Sequence, residues 1–234
     1  LGINFKKEKY KNGKTKLKIY GPAEIKAKNI HVASDPSSAA FFTVAALITP
    51  GSNIEIKNVC LNKTRIAYIK VLKRMGGKII IKKTGKISGE IVGNIKVKYS
   101  KLRSIVISKK LAPYLIDEYP ILAVAASQAK GVTTMKGLGE LRFKESDRLT
   151  SIHENLLNSG VNTNVVKDDL VIKGSTNKIT GGNKIDSFHD HRIAMSFSIL
   201  NLVCEKPLKI NNLKCIDISY PKFNQDLKNL LVNA

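Results

Sequence analysis

The stretch from Glu140 to Leu149 has the densest set of side chains in this sequence that could do chemistry. Six of its ten residues are formally charged. An apolar pattern of helical spacing follows at once, and it predicts a helix whose buried face consists of Leu149, Ile152, Leu156 and Leu157. Lys144, Glu145 and Arg148 would then lie at or just before the first turn of that helix.

Free backbone N–H groups at a helix start attract anions. An acidic residue at this position is ordinary capping chemistry, whereas a basic residue opposes the helix dipole and gains nothing locally. The presence of Lys144 and Arg148 at a helix start therefore predicts an external anion, with Glu145 set between the two cations.

Three aspartates mark the starts of other predicted helices. Asp35, Asp117 and Asp190 each come shortly before an apolar helical run, and aspartate is a favoured N-cap residue. Asp190 is followed directly by His191 and Arg192. For Asp117 two interpretations stay open, a helix cap or a chemical role, because Asp35 could occupy the same kind of position for purely structural reasons.

A pattern of helix, strand, helix, strand and strand occurs three times along the chain. The first helix of each copy is apolar nearly all round and rich in small residues, which is typical of a buried helix. The second helices are amphipathic and should lie outside. We therefore predict one α/β domain built of three similar pieces, in which buried helices could direct their positive ends at one anion-binding surface.

Residues 1 to about 32 follow a different pattern, a strand, a turn at Asn12-Gly13 and a second strand. The chain begins with leucine rather than methionine. No signal peptide, long apolar run or amphipathic targeting helix is visible, so no membrane association is expected. We expect these first residues to be the cut end of a longer protein.

The formal net charge of +22 is open to three interpretations: nucleic-acid binding, attraction of an acidic substrate, or lysine used as a solubilising surface residue. The lysines are scattered through every predicted strand, and aromatic residues, which would stack on bases, make up only 6%. This distribution favours the second and third interpretations over nucleic acid.

Cysteine and histidine spacing indicates neither a disulfide framework nor a metal site. Cys60, Cys204 and Cys215 are odd in number and lack metal-type spacing, which predicts a reduced, cytoplasmic setting. His189 and His191 alternate without a companion cysteine or carboxylate cluster at ligand spacing, so no metal is expected.

Four short motifs, in order and together, resemble 5-enolpyruvylshikimate-3-phosphate synthases, most of all the bacterial variants tolerant of glyphosate. The motifs are Asp35–Ala40, Ile116–Pro120, Lys144–Arg148 and Asp190–Met195. The likeness runs from about residue 1 to the C-terminus. It implies an α/β enolpyruvyl transferase fold with three repeated βαβαββ units in one domain, buried helices and outer sheets.

The family has two such domains with the active site between them. On this resemblance, residues 1–33 are the last strands of an N-terminal domain and residues 34–234 form the C-terminal domain. The reaction implied is transfer of the enolpyruvyl group of phosphoenolpyruvate to the 5-hydroxyl of shikimate 3-phosphate, through a tetrahedral intermediate, with release of phosphate. No cofactor is implied.

The resemblance also assigns roles to the acidic residues and the lysine of the motifs. Asp117 matches the aspartate that contacts the shikimate hydroxyls and accepts a proton. Glu145 matches the glutamate implicated in proton transfer at the enolpyruvyl methylene, and Lys144 matches a residue near the phosphoshikimate and the reacting centre. Carboxylates poised beside cations suit such proton transfers.

Arg148 and Arg192 match the two arginines that hold the carboxylate of phosphoenolpyruvate, for which the forked guanidinium is well suited. His191 lies beside Arg192 in the motif and could equally well only pack or hydrogen-bond. Ile218 occupies a position where many members carry a lysine.

The family's N-terminal half, which supplies further arginines and the contacts to shikimate 3-phosphate, has no counterpart here. We therefore expect that this chain does not catalyse alone, that it needs the missing N-terminal half, and that the complete protein is a monomer.

Alternative functions are an enolpyruvyl transferase acting on a UDP-sugar, an RNA 3′-terminal phosphate cyclase and a basic nucleic-acid-binding module. The first typically uses a loop cysteine, and none of the three cysteines lies in such a motif. The second requires a nucleotide-accepting histidine motif that the sequence lacks. The third would show salt-dependent DNA binding that survives Lys144→Ala and Arg148→Ala.

Overall fold

The computed structural model describes residues 3–232 and divides the chain into two compact units, Leu1–Val32 and Ala33–Ala234. In the first unit, β1 (Phe5–Lys9) and β2 (Thr15–Ile19) form an antiparallel hairpin in which Phe5 lies opposite Ile19. The predicted strand, turn and strand are confirmed. The assignment of this unit to a separate domain of a longer protein stays a prediction.

The second unit begins with a helix–strand–helix–strand–strand piece. Its elements are α1 (Pro36–Ile48), β3 (Asn53–Cys60), α2 (Ala67–Arg74), β4 (Lys78–Ile87) and β5 (Glu90–Lys98). The three strands form an antiparallel sheet with β5 in the centre. Consecutive positive-φ residues, Ser88 and Gly89, close β4 and β5 into a tight hairpin.

The middle piece repeats this order behind two short strands and one short helix. Its elements are β6 (Leu102–Arg103), β7 (Val106–Ile107), α3 (Ala112–Leu115), α4 (Tyr119–Ser127), β8 (Ala129–Met135), α5 (Arg148–Asn158), β9 (Asn162–Val166) and β10 (Asp169–Gly174). Strand β10 pairs antiparallel with both β8 and β9, while β6 and β7 run parallel to β8.

The last piece has shorter strands. Its elements are β11 (Ile179–Gly181), β12 (Lys184–Ile185), α6 (His191–Leu200), β13 (Cys204–Lys206), β14 (Lys209–Ile210) and α7 (Phe223–Val232). Parallel pairs form between β11 and β13 and between β12 and β14. Short 3-10 helices complete the chain at Lys109–Leu111, Gly139–Phe143, Asn201–Val203 and Leu213–Ile218. This order of helices and strands confirms the predicted α/β class.

The core is a bundle of the three first helices. All nine residues of α4 are buried, nearly all of α1 is buried, and α1, α4 and α6 contact one another pairwise. Alanines allow the close approach of these helices, and apolar burial of this extent is the main source of stability. The prediction that these helices are buried is confirmed.

Helix α5 is amphipathic, as predicted, with one correction. Leu149, Ile152 and Leu156 are fully buried, but Leu157 is 46% exposed. Successive helical residues point about 100° apart, so Leu157 faces away from the side that Leu156 buries. Gly160 (φ 91°) ends the helix, and the bond from Val161 N–H to the carbonyl of Leu156 closes it in the way glycine-terminated helices favour.

Between residues 3 and 232, no helix is both long enough and apolar enough to cross a lipid bilayer.

Candidate active site

The N-terminal ends of α4, α5 and α6 are joined by charged contacts. Arg148, the first residue of α5, donates from Nε to Oδ2 of Asp190 at 2.7 Å, directly before α6. Arg192, in the first turn of α6, donates from Nη1 to the backbone carbonyl of Asp117 at 3.2 Å. Asp117 itself lies two residues before α4. Residues that are far apart in the sequence therefore meet where three helices begin.

Arg148 is the centre of this cluster and is fully buried, with 0% of its side chain exposed. Besides the contact with Asp190, its Nη1 donates to Oδ1 of Asp117 at 3.1 Å and its Nη2 to Oε2 of Glu145 at 2.5 Å. Burial opposes the charge of Arg148, but Asp190, Glu145 and Asp117 together raise its pKa, so the guanidinium stays protonated.

This environment modifies the prediction made for Arg148. The position of this cation at a helix start predicts an external anion, yet three carboxylates of the chain itself surround the guanidinium. The sequence could not reveal this, because only Glu145 is a near neighbour of Arg148, three residues away. Asp117 and Asp190 lie 31 and 42 residues away along the chain. Binding of a substrate carboxylate by Arg148 stays a prediction. It requires the carboxylate of Glu145 or Asp117 to break its hydrogen bond with the guanidinium.

Asp117 faces the cations of the cluster and remains accessible, with 37% of its side chain exposed. Lys144 Nζ lies 3.8 Å from its Oδ1, and Arg192 Nη2 lies 3.8 Å from its Oδ2. Partial burial raises the pKa of Asp117, but Arg192, Lys144 and Arg148 outweigh that effect and hold the pKa below the ordinary 3.8. Asp117 is therefore an ionised carboxylate at neutral pH.

Asp117 does not cap its helix, unlike the two aspartates with which the sequence grouped it. Asp35 accepts a hydrogen bond from the backbone N–H of Ser38 at 2.8 Å, and Asp190 accepts one from that of Arg192 at 2.8 Å. Glu118, not Asp117, stands at the N-cap position of α4, where no side chain caps the helix. The capping interpretation of Asp117 is wrong, and its carboxylate is available for chemistry.

Asp190 is the buried counterpart of Asp117. It is fully buried and accepts from Arg148, from the backbone of Arg192 and from the hydroxyl of Ser146 at 3.2 Å. The sequence marked it only as a helix start. In the structure it both caps α6 and holds the guanidinium of Arg148.

Lys144 and Glu145 lie on the loop between the 3-10 helix Gly139–Phe143 and α5. Both are accessible, and Glu145 has 50% of its side chain exposed. The two residues reach the same cluster as Asp117 through the contacts given above.

Arg142, which the sequence did not single out, holds that loop. It donates to Oδ2 of Asp147 at 3.0 Å, to the hydroxyl of Thr150 at 3.3 Å and to Oδ1 of Asp168 at 3.5 Å. Asp147 in turn caps α5 through the N–H of Thr150. Although partial burial raises the pKa of Asp147, the bonds from Thr150 and Arg142 lower it overall. The sequence motif alone could not reveal these contacts, because Asp168 lies 26 residues away from Arg142 along the chain.

His191 begins α6 and is half-buried. Burial lowers its pKa, and Arg192 and Arg148 add to that effect against the opposite influence of Asp190 and Glu145, so the imidazole is neutral at pH 7. Phe188 and His189, which precede Asp190, both have positive φ, 51° and 57°, a strained backbone that occurs preferentially near functional sites. A functional role for His191 stays a prediction. Ile218 is exposed.

Within residues 3–232, no three His, Cys, Asp or Glu side chains are grouped so that they could hold a metal ion. A groove of about 900 Å³ lies at the far end of α1, lined in part by Ala45, Thr49 and Leu230, and no predicted site residue lines it.

Comparison with known proteins shows that most of the chain matches one family. A sequence model of EPSP synthase (3-phosphoshikimate 1-carboxyvinyltransferase) matches residues 2–227. The 3-phosphoshikimate 1-carboxyvinyltransferase of Sulfurihydrogenibium sp. (strain YO3AOP1) is 44% identical over 200 residues, which are 86% of this chain and 46% of that protein. The chain thus spans about half the length of the curated relatives it matches.

Solved structures agree. An EPSP synthase from Acinetobacter baumannii superposes with a TM-score of 0.88 at 34% identity, over 97% of this chain and 52% of that one. The enolpyruvyl transferase NikO from Streptomyces tendae superposes with a TM-score of 0.68 at 15% identity, over 98% of this chain and 50% of its own, which indicates a shared fold only.

Proposed function

Because the chain belongs to the EPSP synthase family, we propose that it supplies one wall of an active site for enolpyruvyl transfer. In this reaction the 5-hydroxyl of shikimate 3-phosphate receives the enolpyruvyl group of phosphoenolpyruvate, and phosphate is released. The observation that carries the proposal is the single cluster in which two accessible carboxylates meet three cations, formed by Asp117, Glu145, Lys144, Arg148 and Arg192.

Charge is the first argument. Both substrates are polyanions, and partly exposed cations beside helix N-termini attract and orient such groups. In this proposal Lys144 contacts shikimate 3-phosphate, and Arg192 binds the carboxylate of phosphoenolpyruvate. Arg148 binds the same carboxylate once that group replaces Glu145 or Asp117 at the Nη atoms of the guanidinium. Asp190 remains hydrogen-bonded to Nε of Arg148.

Proton transfer is the second argument. The ionised Asp117 takes the proton of the 5-hydroxyl as that oxygen bonds to C2 of phosphoenolpyruvate, and Glu145 serves the proton transfer at the neighbouring methylene carbon, which becomes a methyl group in the tetrahedral intermediate. Loss of phosphate and of one methyl proton then gives the product. The low pKa of Asp117 keeps it ionised and able to accept a proton over the physiological pH range.

The proposal includes a partner. Since the chain spans about half of its relatives, we assign the opposite wall to a polypeptide equivalent to their N-terminal half, with closure around the substrates required for turnover.

The complete enzyme would be a monomer. Three free cysteines support a cytoplasmic location for it. No nucleic acid or membrane takes part, and the shikimate motifs converging on one cluster favour this function over the UDP-sugar and nucleic-acid alternatives.

Reconstitution tests the proposal. The N-terminal half of the Sulfurihydrogenibium relative is combined with this chain to give a hybrid enzyme, and phosphate release is measured with both substrates, with either alone and with each half alone. We expect turnover only when both halves and both substrates are present. Turnover by the lone chain, or none from a hybrid that size-exclusion chromatography shows to be assembled, would contradict the proposal.

A further inference from the structure

Glu118, the neighbour of the proposed base Asp117, is a buried acid that the reaction does not use. It is 4% exposed. Its Oε1 accepts a hydrogen bond from the hydroxyl of Ser37 at 2.6 Å, and burial raises its pKa in spite of that bond and of Arg192 and Arg65 nearby. A carboxylate is an expensive group to bury, and an apolar side chain of similar size would fill the space more cheaply.

The hydrogen bond to Glu118 ends a directed chain that starts on the surface. Arg65 Nη2 donates to the hydroxyl of Ser37 at 3.0 Å, and Ser37 passes its own hydrogen to Glu118. The same Nη2 also donates to Oδ1 of Asp35 at 2.9 Å. Asp35 is the residue that caps α1. The first turn of α1 is thereby fixed, and it holds Glu118 across the interface between α1 and α4.

The backbone around Asp117 makes this anchor consequential. Ile116 and Glu118 both have right-handed helical dihedral angles, and the N–H of Glu118 bonds to the carbonyl of Leu115 at 2.9 Å. In such a turn, successive side chains point about 100° apart. Glu118 therefore reaches into the interface with α1 while Asp117 reaches the cations of the cluster, and the rotation of the turn sets both directions together.

We propose that Glu118 is a positioning residue for Asp117: its hydrogen bond to Ser37 fixes the rotation of the turn before α4 and so aims the Asp117 carboxylate at Arg148, Lys144 and Arg192. The catalytic consequence rests on the proposed function, but the positioning itself does not. The second anchor of the turn, from Arg192 to the carbonyl of Asp117, belongs to a residue assigned to substrate. The hydrogen bond between Ser37 and Glu118 is thus a side-chain anchor of the turn that is independent of substrate.

The test measures the pKa of the Asp117 carboxyl by ¹³C NMR in the 234-residue chain, with Asp117→Asn used to assign the signal. Ser37→Ala and Glu118→Leu release the anchor, so the carboxylate moves away from the cations and its pKa rises by on the order of one unit. Glu118→Gln keeps the acceptor for Ser37, so the pKa does not rise.

A rise in this pKa separates positioning from simple charge. The raised pKa of Glu118 lies above the lowered pKa of Asp117, so Glu118 is already protonated over the pH range in which Asp117 titrates. Loss of the Glu118 charge alone therefore leaves the pKa of Asp117 unchanged, whereas loss of the anchor raises it. Ser37→Ala leaves the Glu118 side chain in place and is mild enough to fold if Glu118→Leu is not.

Ser127→Ala is the matched control. It removes a buried hydroxyl from the other end of α4, where Ser127 bonds to the carbonyl of Val124 at 2.7 Å, and it should reduce thermal stability without changing the pKa of Asp117. The proposal is overturned if Ser37→Ala and Glu118→Leu reduce stability but leave that pKa where it is, or if Glu118→Gln raises it as Glu118→Leu does.

A second readout links the anchor to the reaction. In the hybrid enzyme, Ser37→Ala and Glu118→Leu should lower kcat about tenfold or more with a smaller change in KM, because the base is misaimed while the cations that bind substrate remain. If the NMR result holds and kcat does not change, positioning stands and the proposed role of Asp117 as base fails.

Discussion

The starts of α1 and α4 contain the same combination of aspartate and proline and use it for different purposes. Asp35 directly precedes Pro36, and its carboxylate caps α1 while its other oxygen pairs with exposed Arg65. Asp117 lies three residues before Pro120, outside the helix, and its carboxylate faces three cations instead of its own backbone.

The difference arises from the chain that enters each helix. Asp35 has an extended backbone, the geometry that turns an aspartate back onto its own first turn. The residues before α4 continue from α3 in a helical turn, so Asp117 is directed outward. The groups that donate hydrogen bonds to an aspartate, rather than its place before a helix, distinguish a structural cap from a candidate base.

Arg148 and Arg65 offer the strongest test of that comparison, because each pairs with the aspartate at one of the two helix starts. Arg148→Met leaves Asp190 buried without its partner, and we expect a loss of about 3–5 kcal/mol of unfolding free energy. Arg65→Met removes an exposed ion pair and should cost no more than about 1 kcal/mol. Urea denaturation of both variants measures the difference, and equal losses would contradict the buried network.

Much of this arrangement could be predicted from sequence, within limits set by tertiary contacts. Helical spacing located α1, α4, α5 and α6, and the motif residues around Glu145 and Arg192 do meet. The sequence could not reveal that Arg148 is saturated by carboxylates or that Arg142 clamps its loop. Both contacts depend on which side chains from distant parts of the sequence face one another in the fold, and the local spacing of apolar residues carries no information about such pairs.

Arg192 provides the next contrast with Arg65. In the hybrid enzyme, Arg192→Ala should raise the KM for phosphoenolpyruvate about tenfold to a hundredfold, since one forked carboxylate contact is lost. Arg65→Ala, which removes a cation from the start of α1, should change that KM less than about twofold if only the α4 side binds substrate. A similar rise for both would indicate that net charge, not position, attracts the substrate.

Asp35→Ala tests the structural half of the comparison. Loss of the N-cap bond to Ser38 should lower the unfolding free energy by about 0.5–2 kcal/mol. Asp117→Ala removes no cap, so α4 should keep its helical hydrogen bonds. Hydrogen exchange of the first-turn amides of α1 and α4 distinguishes the two effects, and faster exchange at the start of α4 in Asp117→Ala would show that Asp117 supports its helix after all.

The smallest effects are expected in the pH dependence of stability, where neighbours Asp117 and Glu118 act in opposite directions. The lowered pKa of Asp117 contributes stability that is present above about pH 3.8 and is lost as the pH falls toward its folded-state pKa. The raised pKa of Glu118 reduces stability above its folded-state value, and this penalty disappears as the pH falls to about 4.5.

At pH 7, therefore, Glu118→Gln should be at least as stable as the unmodified chain, with the difference vanishing by about pH 4.5. Asp117→Asn should be less stable at pH 7, with its difference shrinking only below about pH 3.8. Urea unfolding across this pH range gives both curves. The same sign for both variants at pH 7 would contradict the opposite pKa shifts.

The most direct measurement compares the two aspartates in one assay, as the kcat for phosphate release by the hybrid enzyme. Asn at residue 35 can still cap α1, so Asp35→Asn should stay within about twofold of the unmodified enzyme. Asp117→Asn removes the proposed base and should lower kcat by about 10²–10⁴-fold without unfolding the protein. Equal activity of the two variants would contradict the assignment of Asp117 as the residue that takes the proton.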